Sequence, residues 1–152
     1  MLDKTLNIRG TLTSLATPLV MGILNITPDS FYAGSRKQTE TAIEDRIREI
    51  LSEGGDWIDI GGYSSRPDAA EVTPEEEMRR LEFALHILNK HYPDIPVSVD
   101  TFRAGIARRC VEEYGAAIIN DTLCATVPRL PSLTVPCPSL GSGMYCPPVC
   151  YG

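Results

Sequence analysis

The sequence predicts a parallel α/β fold made of repeated strand–helix units, and three observations carry that expectation. Apolar runs alternate with amphipathic stretches in the order β-α-β-α-β-α-β, with strands starting near residues 20, 57, 96 and 116. The first run, VMGILNI (20–26), is continuously apolar, as expected of a strand buried on both faces. Each run then ends on polar or glycine residues: Asn25, Gly61-Gly62, Asp100 and Asn120-Asp121. The alternation alone leaves a doubly wound sheet and part of an eight-stranded barrel both open. No GxGxxG or GxxxxGK[ST] follows any strand, which disfavours a dinucleotide fold or a P-loop.

Each element has a local reason. Residues 5–16, TLNIRGTLTSLA, alternate around Gly10 and predict a small hairpin or lead-in strand. Thr41-Ala42-Ile43-Glu44 reads as a capping box, with Ile43, Ile47, Ile50 and Leu51 at helical spacing and Gly54-Gly55 as the stop. Trp57–Gly62 is the second strand. Thr73-Pro74-Glu75-Glu76 supplies an N-cap, a proline at the first helical position and an early glutamate. Met78, Leu81, Leu85 and Leu88 form the face of that helix. Pro93 and Pro96 bracket the turn into Val97–Asp100. Thr101 is expected to cap a helix whose face is Ala107, Cys110, Val111 and Tyr114, stopped by Gly115. Ala116 to Ile119 are the fourth strand.

Composition narrows the function. The 152 residues are 43% hydrophobic and 22% charged, enough for an ordinary core. Fourteen basic and twenty acidic residues give a net charge of −6, which argues against a partner that needs a basic face, namely nucleic acid or an anionic membrane. No apolar run reaches the roughly 18 residues of a membrane span, and no signal-peptide pattern is present, so the expected location is cytoplasmic.

After Asp121 the composition changes. Residues 122–152 hold six of the twelve prolines, four of the five cysteines and one charged residue, Arg129. Pro128, Pro131, Pro136 and Pro138 are expected to break any strand ladder. Cys137, Cys146 and Cys150 would suit a zinc or disulfide clip only loosely, because no second paired motif or histidine accompanies them. The expected division is therefore residues 1–121 as the folded unit and 122–152 as a Pro/Cys-rich tail, unstructured or the product of a shifted reading frame.

In a parallel α/β protein the C-terminal strand ends share one face, where ligands bind. Taken singly, Asn25 or Asn120 reads as a turn residue, Asp100 as a capping acid and Asp59 as a satisfied buried carboxylate. Taken together, the strand ends bring an amide, the Ser65-Arg66 pair, a carboxylate and an amide–carboxylate pair to one rim. Asp100 with Asn120 suits the amidine-like edge of a heterocycle. Ser65-Arg66 after a glycine pair suits a phosphate or diphosphate. Asn25 offers a neutral oxygen to Mg²⁺, which takes few protein ligands and completes its shell with phosphate and water.

The stretches MGILNITPDSF, IDIGGYSSRP, PVSVDT and IIND, in this order and spacing, resemble the first half of dihydropteroate synthase, over about residues 5 to 121. The resemblance implies (β/α) units of a TIM barrel, truncated after about the fourth strand. It also implies condensation of 6-hydroxymethyl-7,8-dihydropterin diphosphate with p-aminobenzoate, using Mg²⁺ and releasing diphosphate, in folate synthesis. By the same resemblance Asn25 binds Mg²⁺ beside the diphosphate. Ser65 stands for the family's usual threonine, and Arg66 is the diphosphate-side arginine. Asp100 and Asn120 hold the pterin edge. Thr27 to Gly34, with Asp29 and Phe31, are the loop that closes over the site, Phe31 lying near the aminobenzoate. No catalytic acid or base is assigned.

The chain departs from the family pattern in three places. Tyr63 replaces a common glutamate, and Ala33 replaces a common acid. The second half of the barrel, with its further aspartate, lysine and arginine–histidine pair, has no counterpart here. A family homodimer would lose its expected contacts with that half, and this chain alone is expected to show no aminobenzoate-dependent diphosphate release. The competing readings are another pterin-binding barrel, such as a methyltetrahydrofolate:corrinoid methyltransferase, and a non-catalytic fragment. The TPDSF and SSRP stretches argue against the methyltransferase, whose chemistry has no diphosphate to hold.

Overall fold

The computed structural model describes residues 5–27, 36–63, 71–121, 135–136 and 144–146. The expectations for Asp29, Phe31, Ala33, Ser65, Arg66, Cys124, Arg129, Cys137 and Cys150 lie outside these residues, as does the Cys146 side chain.

The chain enters through the predicted hairpin, β1 (Thr5–Ile8) and β2 (Thr11–Ser14), paired antiparallel with Ile8 opposite Thr11. Arg9 and Gly10 both take positive φ, 49° and 83°, as a two-residue turn of matching twist requires. Leu6 and Ile8 pack on Trp57, Ala117 and Ile118, at the N-terminal ends of later strands. The Arg9 guanidinium donates to the Gly115 carbonyl at 2.9 and 2.6 Å and to the Pro93 carbonyl at 3.3 Å, which ties the hairpin tip to two turns at the same end.

Strands β3 (Met21–Asn25), β4 (Trp57–Gly61), β5 (Val97–Asp100) and β6 (Ile118–Asn120) follow one another across the sheet, all parallel. Helices α1 (Arg36–Ser52), α2 (Pro74–His91) and α3 (Ala104–Tyr114) connect them. All three helices share one core with Leu24, Ile26, Ile58, Ile60, Val97, Val99 and Ile119, alternate residues from one face of the sheet. A doubly wound sheet reverses its strand order and carries helices on both faces. Sequential order with the helices on one face is barrel winding.

Two expectations about strands need correction. β3 is not buried on both faces: Leu24 and Ile26 are buried, but Ile23 on the opposite face is 58% exposed. The reason is position, since β3 begins the sheet order and no described strand flanks its other edge. In the tail, β7 (Val135–Pro136) and β8 (Met144–Cys146) add antiparallel to the sheet in the order β6-β8-β7. Pro136 fits because β7 is the outermost strand, where a missing N–H costs no outer ladder bond.

The helices follow their apolar stripes. In α1, Thr39, Ile43, Ile47 and Ile50 are buried. Thr41 lies inside this helix, which starts at Arg36, so the expected capping box is not its N-terminus. Gly54 at φ 92° ends it, with the Gly55 N–H bonded to the Ile50 carbonyl at 2.9 Å. In α2, Thr73 caps the Glu76 N–H with Pro74 at the first turn, and Met78, Leu81, Leu85 and Leu88 are buried, all as expected. α3 ends on Gly115 in the left-handed conformation, φ 69°. Its N-cap is Arg103 with no side-chain cap bond, so Thr101 is not the predicted cap. Cys110 is buried on α3, and burial first, then the Glu77 carboxylate, pushes its thiol up to about 12. It is a packing residue and not a nucleophile. Among the described residues no helix is long and apolar enough to cross a membrane.

Gly22 sets how closely β3 approaches α1. A Cβ there would lie 2.2 Å from Ile50 Cγ2 and 3.1 Å from Ile50 Cβ. Gly22→Ala is expected to cost about 1–3 kcal/mol of stability by overpacking, read as a lower urea midpoint at unchanged slope. An unchanged midpoint would mean that α1 sits farther from the sheet than this.

Candidate functional site

The parallel register sets Asn25 beside Gly61, Gly61 beside Asp100, and Asp100 beside Asn120. These four residues form one row across the C-terminal strand ends. The residues just before them, Leu24, Ile60, Val99 and Ile119, belong to the core beneath the helices. Side chains alternate along a strand, so the row faces away from the helices, toward the barrel interior. Gly61 leaves a gap in the row. An ideal Cβ there would lie 3.4 Å from Asn25 Oδ1, 3.8 Å from Asp100 Cβ and 3.9 Å from Asp100 Oδ2. The amide oxygen of Asn25 and the carboxylate of Asp100 therefore come together over a backbone that a ligand can approach closely. The Asn25 amide oxygen is a hard neutral donor, which suits a magnesium ion that takes most of its shell from phosphate and water.

The next row toward the N-terminal ends is Ile23, Asp59, Ser98 and Ile118. Asp59 is 5% exposed and Ser98 is fully buried. Asp59 Oδ2 accepts a hydrogen bond from Asn120 Nδ2 at 3.2 Å. Asp59 Oδ1 and Ser98 Oγ have no hydrogen-bond partner among the described residues. The expectation that Asp59 is a satisfied buried carboxylate is thus half right, since one of its two oxygens is satisfied.

A polar network ties the loops around this rim. Glu77, fully buried in the first turn of α2, accepts from Thr101 Oγ1 at 2.7 Å and from the Arg103 guanidinium. Arg103 also donates to the Val72 carbonyl at 2.7 Å. Arg80 donates to the Gly62 carbonyl at 3.0 Å and to Glu76 at 2.8 Å. Hydrogen bonds from Arg79 first, then Arg80, hold the Glu76 carboxyl down to about 2. Tyr63 meets Phe102 edge-on with ring centroids 5.3 Å apart, and the Arg103 guanidinium lies 5.4 and 4.8 Å from their centroids. Tyr63, one of the departures from the resembled pattern, thus has an aromatic and cationic seat here. The loop after β4 and the loop after β5 are joined twice, once by ions and once by rings.

The profile of the pterin binding enzymes matches residues 21–134, a span that contains the whole polar row. The chain belongs to that family. It is 43% identical over 102 residues to the dihydropteroate synthase of Staphylococcus haemolyticus, covering 67% of this chain and 37% of that protein. Among solved structures it resembles Xanthomonas albilineans dihydropteroate synthase with 4-aminobenzoic acid, at TM-score 0.67 and 37% identity, over 84% of this chain and 45% of that one. The X. albilineans enzyme in complex with 7,8-dihydropteroate matches at TM-score 0.64 and 35% identity, over 85% and 45%. The chain spans less than half the length of each of these relatives. The family match runs past Asp121 to residue 134, beyond the point where the resemblance read from the motifs stops.

Of the residues expected at the site, Asn25, Asp100 and Asn120 stand in one row. Ser65, Arg66, Asp29 and Phe31 lie outside the described residues. The sequence reading missed Glu77, Arg80 and Arg103. One signal was available: Glu77 falls on the helical stripe that continues through Leu81, Leu85 and Leu88, where a charge needs a partner.

Proposed function

We propose that these residues form the pterin- and diphosphate-binding part of a dihydropteroate synthase. The reaction joins 6-hydroxymethyl-7,8-dihydropterin diphosphate to p-aminobenzoate, with release of diphosphate, in folate synthesis. The observation that carries the reading is the Asn25–Gly61–Asp100–Asn120 row, supported by the kinship to dihydropteroate synthases. In this reading residues 1–121 supply the N-terminal half of the barrel and its polar row, and β7 and β8 of the Pro/Cys-rich segment add to the edge of that sheet.

Asp100 accepts from the N–H edge of the pterin, and Asn120 supplies a neutral amide beside it. Ser65 and Arg66 take the diphosphate oxygens, the arginine offsetting their charge. Asn25 would hold Mg²⁺ beside the diphosphate, where the metal would supply positive charge as the diphosphate departs. Asp29 and Phe31 belong to the loop that covers the site, Phe31 beside the aminobenzoate. With both ends of the pterin substrate held, its C–O bond is aligned for attack by the aniline nitrogen. The contacts of a family homodimer are expected in the second half of the barrel, outside residues 1–121.

Isothermal titration of the 152-residue chain with the dihydropterin diphosphate in Mg²⁺ buffer tests this. Binding is expected, weakened when the metal is chelated. Adding p-aminobenzoate is expected to release no diphosphate, because the chain covers 37% of the length of its S. haemolyticus relative. No heat of binding would overturn the reading. Preference for methyltetrahydrofolate over the diphosphate would move it to the methyltransferases.

A further inference from the structure

We infer that Asp59 is a positioning residue that orients the Asn120 amide toward the pterin; the inference rests on the reading above. Asp59 lies one row deeper than Asn120 and two strands away, on β4 against β6. Adjacent strands are about 4.8 Å apart, so the pair must reach across β5. It can do so because β5 carries the small Ser98 beside Asp59. The contact is Asn120 Nδ2 to Asp59 Oδ2 at 3.2 Å.

A carboxylate only accepts, so the Asn120 amide must turn its NH₂ toward Asp59. Its oxygen then takes the other direction and is fixed as an acceptor for an N–H of the heterocycle. Without this partner the amide can flip and present a donor in place of the acceptor. The fold itself does not require a charge here. Asp59 is 5% exposed, its Oδ1 has no partner among the described residues, and neither does Ser98 Oγ beside it. A buried carboxylate with one orphaned oxygen costs stability that the isosteric asparagine would cost less of. Such a local penalty is expected where a residue serves a site.

The test uses the 152-residue chain, 7,8-dihydropteroate as the probe, and a double-mutant cycle of Asp59→Asn with Asn120→Ala. Asp59→Asn can present either a donor or an acceptor to Asn120 and so no longer fixes its orientation. It is expected to weaken binding by up to about tenfold while leaving the thermal midpoint unchanged or higher. In the Asn120→Ala background it is expected to have no further effect. In the unaltered chain the Asn120 side-chain amide protons should exchange slowly in NMR spectra, and their shifts should move in Asp59→Asn. A full tenfold loss in the Asn120→Ala background overturns the inference, and so does an unprotected Asn120 amide. If the unaltered chain binds no dihydropteroate, the functional reading fails. The amide measurement then decides the Asp59–Asn120 link alone, as it does if Asp59→Asn fails to fold.

Discussion

Asp100→Asn is expected to weaken 7,8-dihydropteroate binding by roughly 10- to 100-fold, the factor for losing a charge-assisted hydrogen bond of about 1.5–3 kcal/mol. Asp100 stands in the row between Gly61 and Asn120. Its carboxylate offers acceptors only, which matches a ligand edge that offers only N–H groups. The asparagine variant keeps the shape but points an N–H where the ligand also has one. The variant is read for binding and for stability separately. The residue is half-buried at a strand end, and its backbone pairing does not depend on the side chain. Equilibrium titration beside a thermal melt separates the two contributions. Binding within twofold of the unaltered chain would remove Asp100 from the pterin edge, and a lowered melt with the same affinity would make it a structural acid.

Why the row was legible from the sequence, and the network behind it was not, follows from the period of each element. Asn25, Asp100 and Asn120 each end a short apolar run, and in a parallel sheet every such end lies on the same side. Their shared face and their register, Asn25 to Gly61 to Asp100 to Asn120, needed only consistent strand starts. Burial was less legible. VMGILNI reads as buried on both faces by composition, yet Ile23 is 58% exposed because β3 stands first in the sheet. Composition reports what a face can bury, and neighbours decide what it does bury. Thr101 shows the limit for hydroxyls: a threonine ahead of a helix reads as a cap, but its hydroxyl donates to Glu77 in another helix. Its hydroxyl oxygen also accepts from the Arg103 N–H at 3.2 Å. The competing long-range partner cannot be read from local spacing.

The network explains how the chain just beyond two of these strand ends holds a fixed geometry. Asp100 and Thr101 are adjacent, so the anchor of Thr101 to Glu77 holds the chain immediately after Asp100. Arg80 anchors the Gly62 carbonyl immediately after Gly61 in the same way. Both anchors start from α2, whose buried stripe is locked into the main core. The sheet register sets the row, and a rigid helix holds the chain where it leaves Gly61 and Asp100.

Glu77→Ala should show how much of the fold depends on that helix-borne anchor. Glu77 is fully buried, and removing its carboxylate leaves the Arg103 guanidinium and the Thr101 hydroxyl without their shared acceptor. Removing one partner of a buried pair costs about 3–5 kcal/mol, against a total of about 5–15 kcal/mol for a typical domain. The expected result is a large drop in urea midpoint. Arg103 is 19% exposed at its side chain, so water relieves part of the penalty and the lower end of the range is expected. The double variant Glu77→Met with Arg103→Met removes both charges and fills the space with apolar volume. It should recover at least half of the loss, because desolvating a charge pair offsets much of its own attraction. If the single variant costs less than about 1 kcal/mol, the pair is not buried in solution. If the double variant is no better than the single, the loss lies in packing around α2, and Glu77 acts through its volume and not its charge.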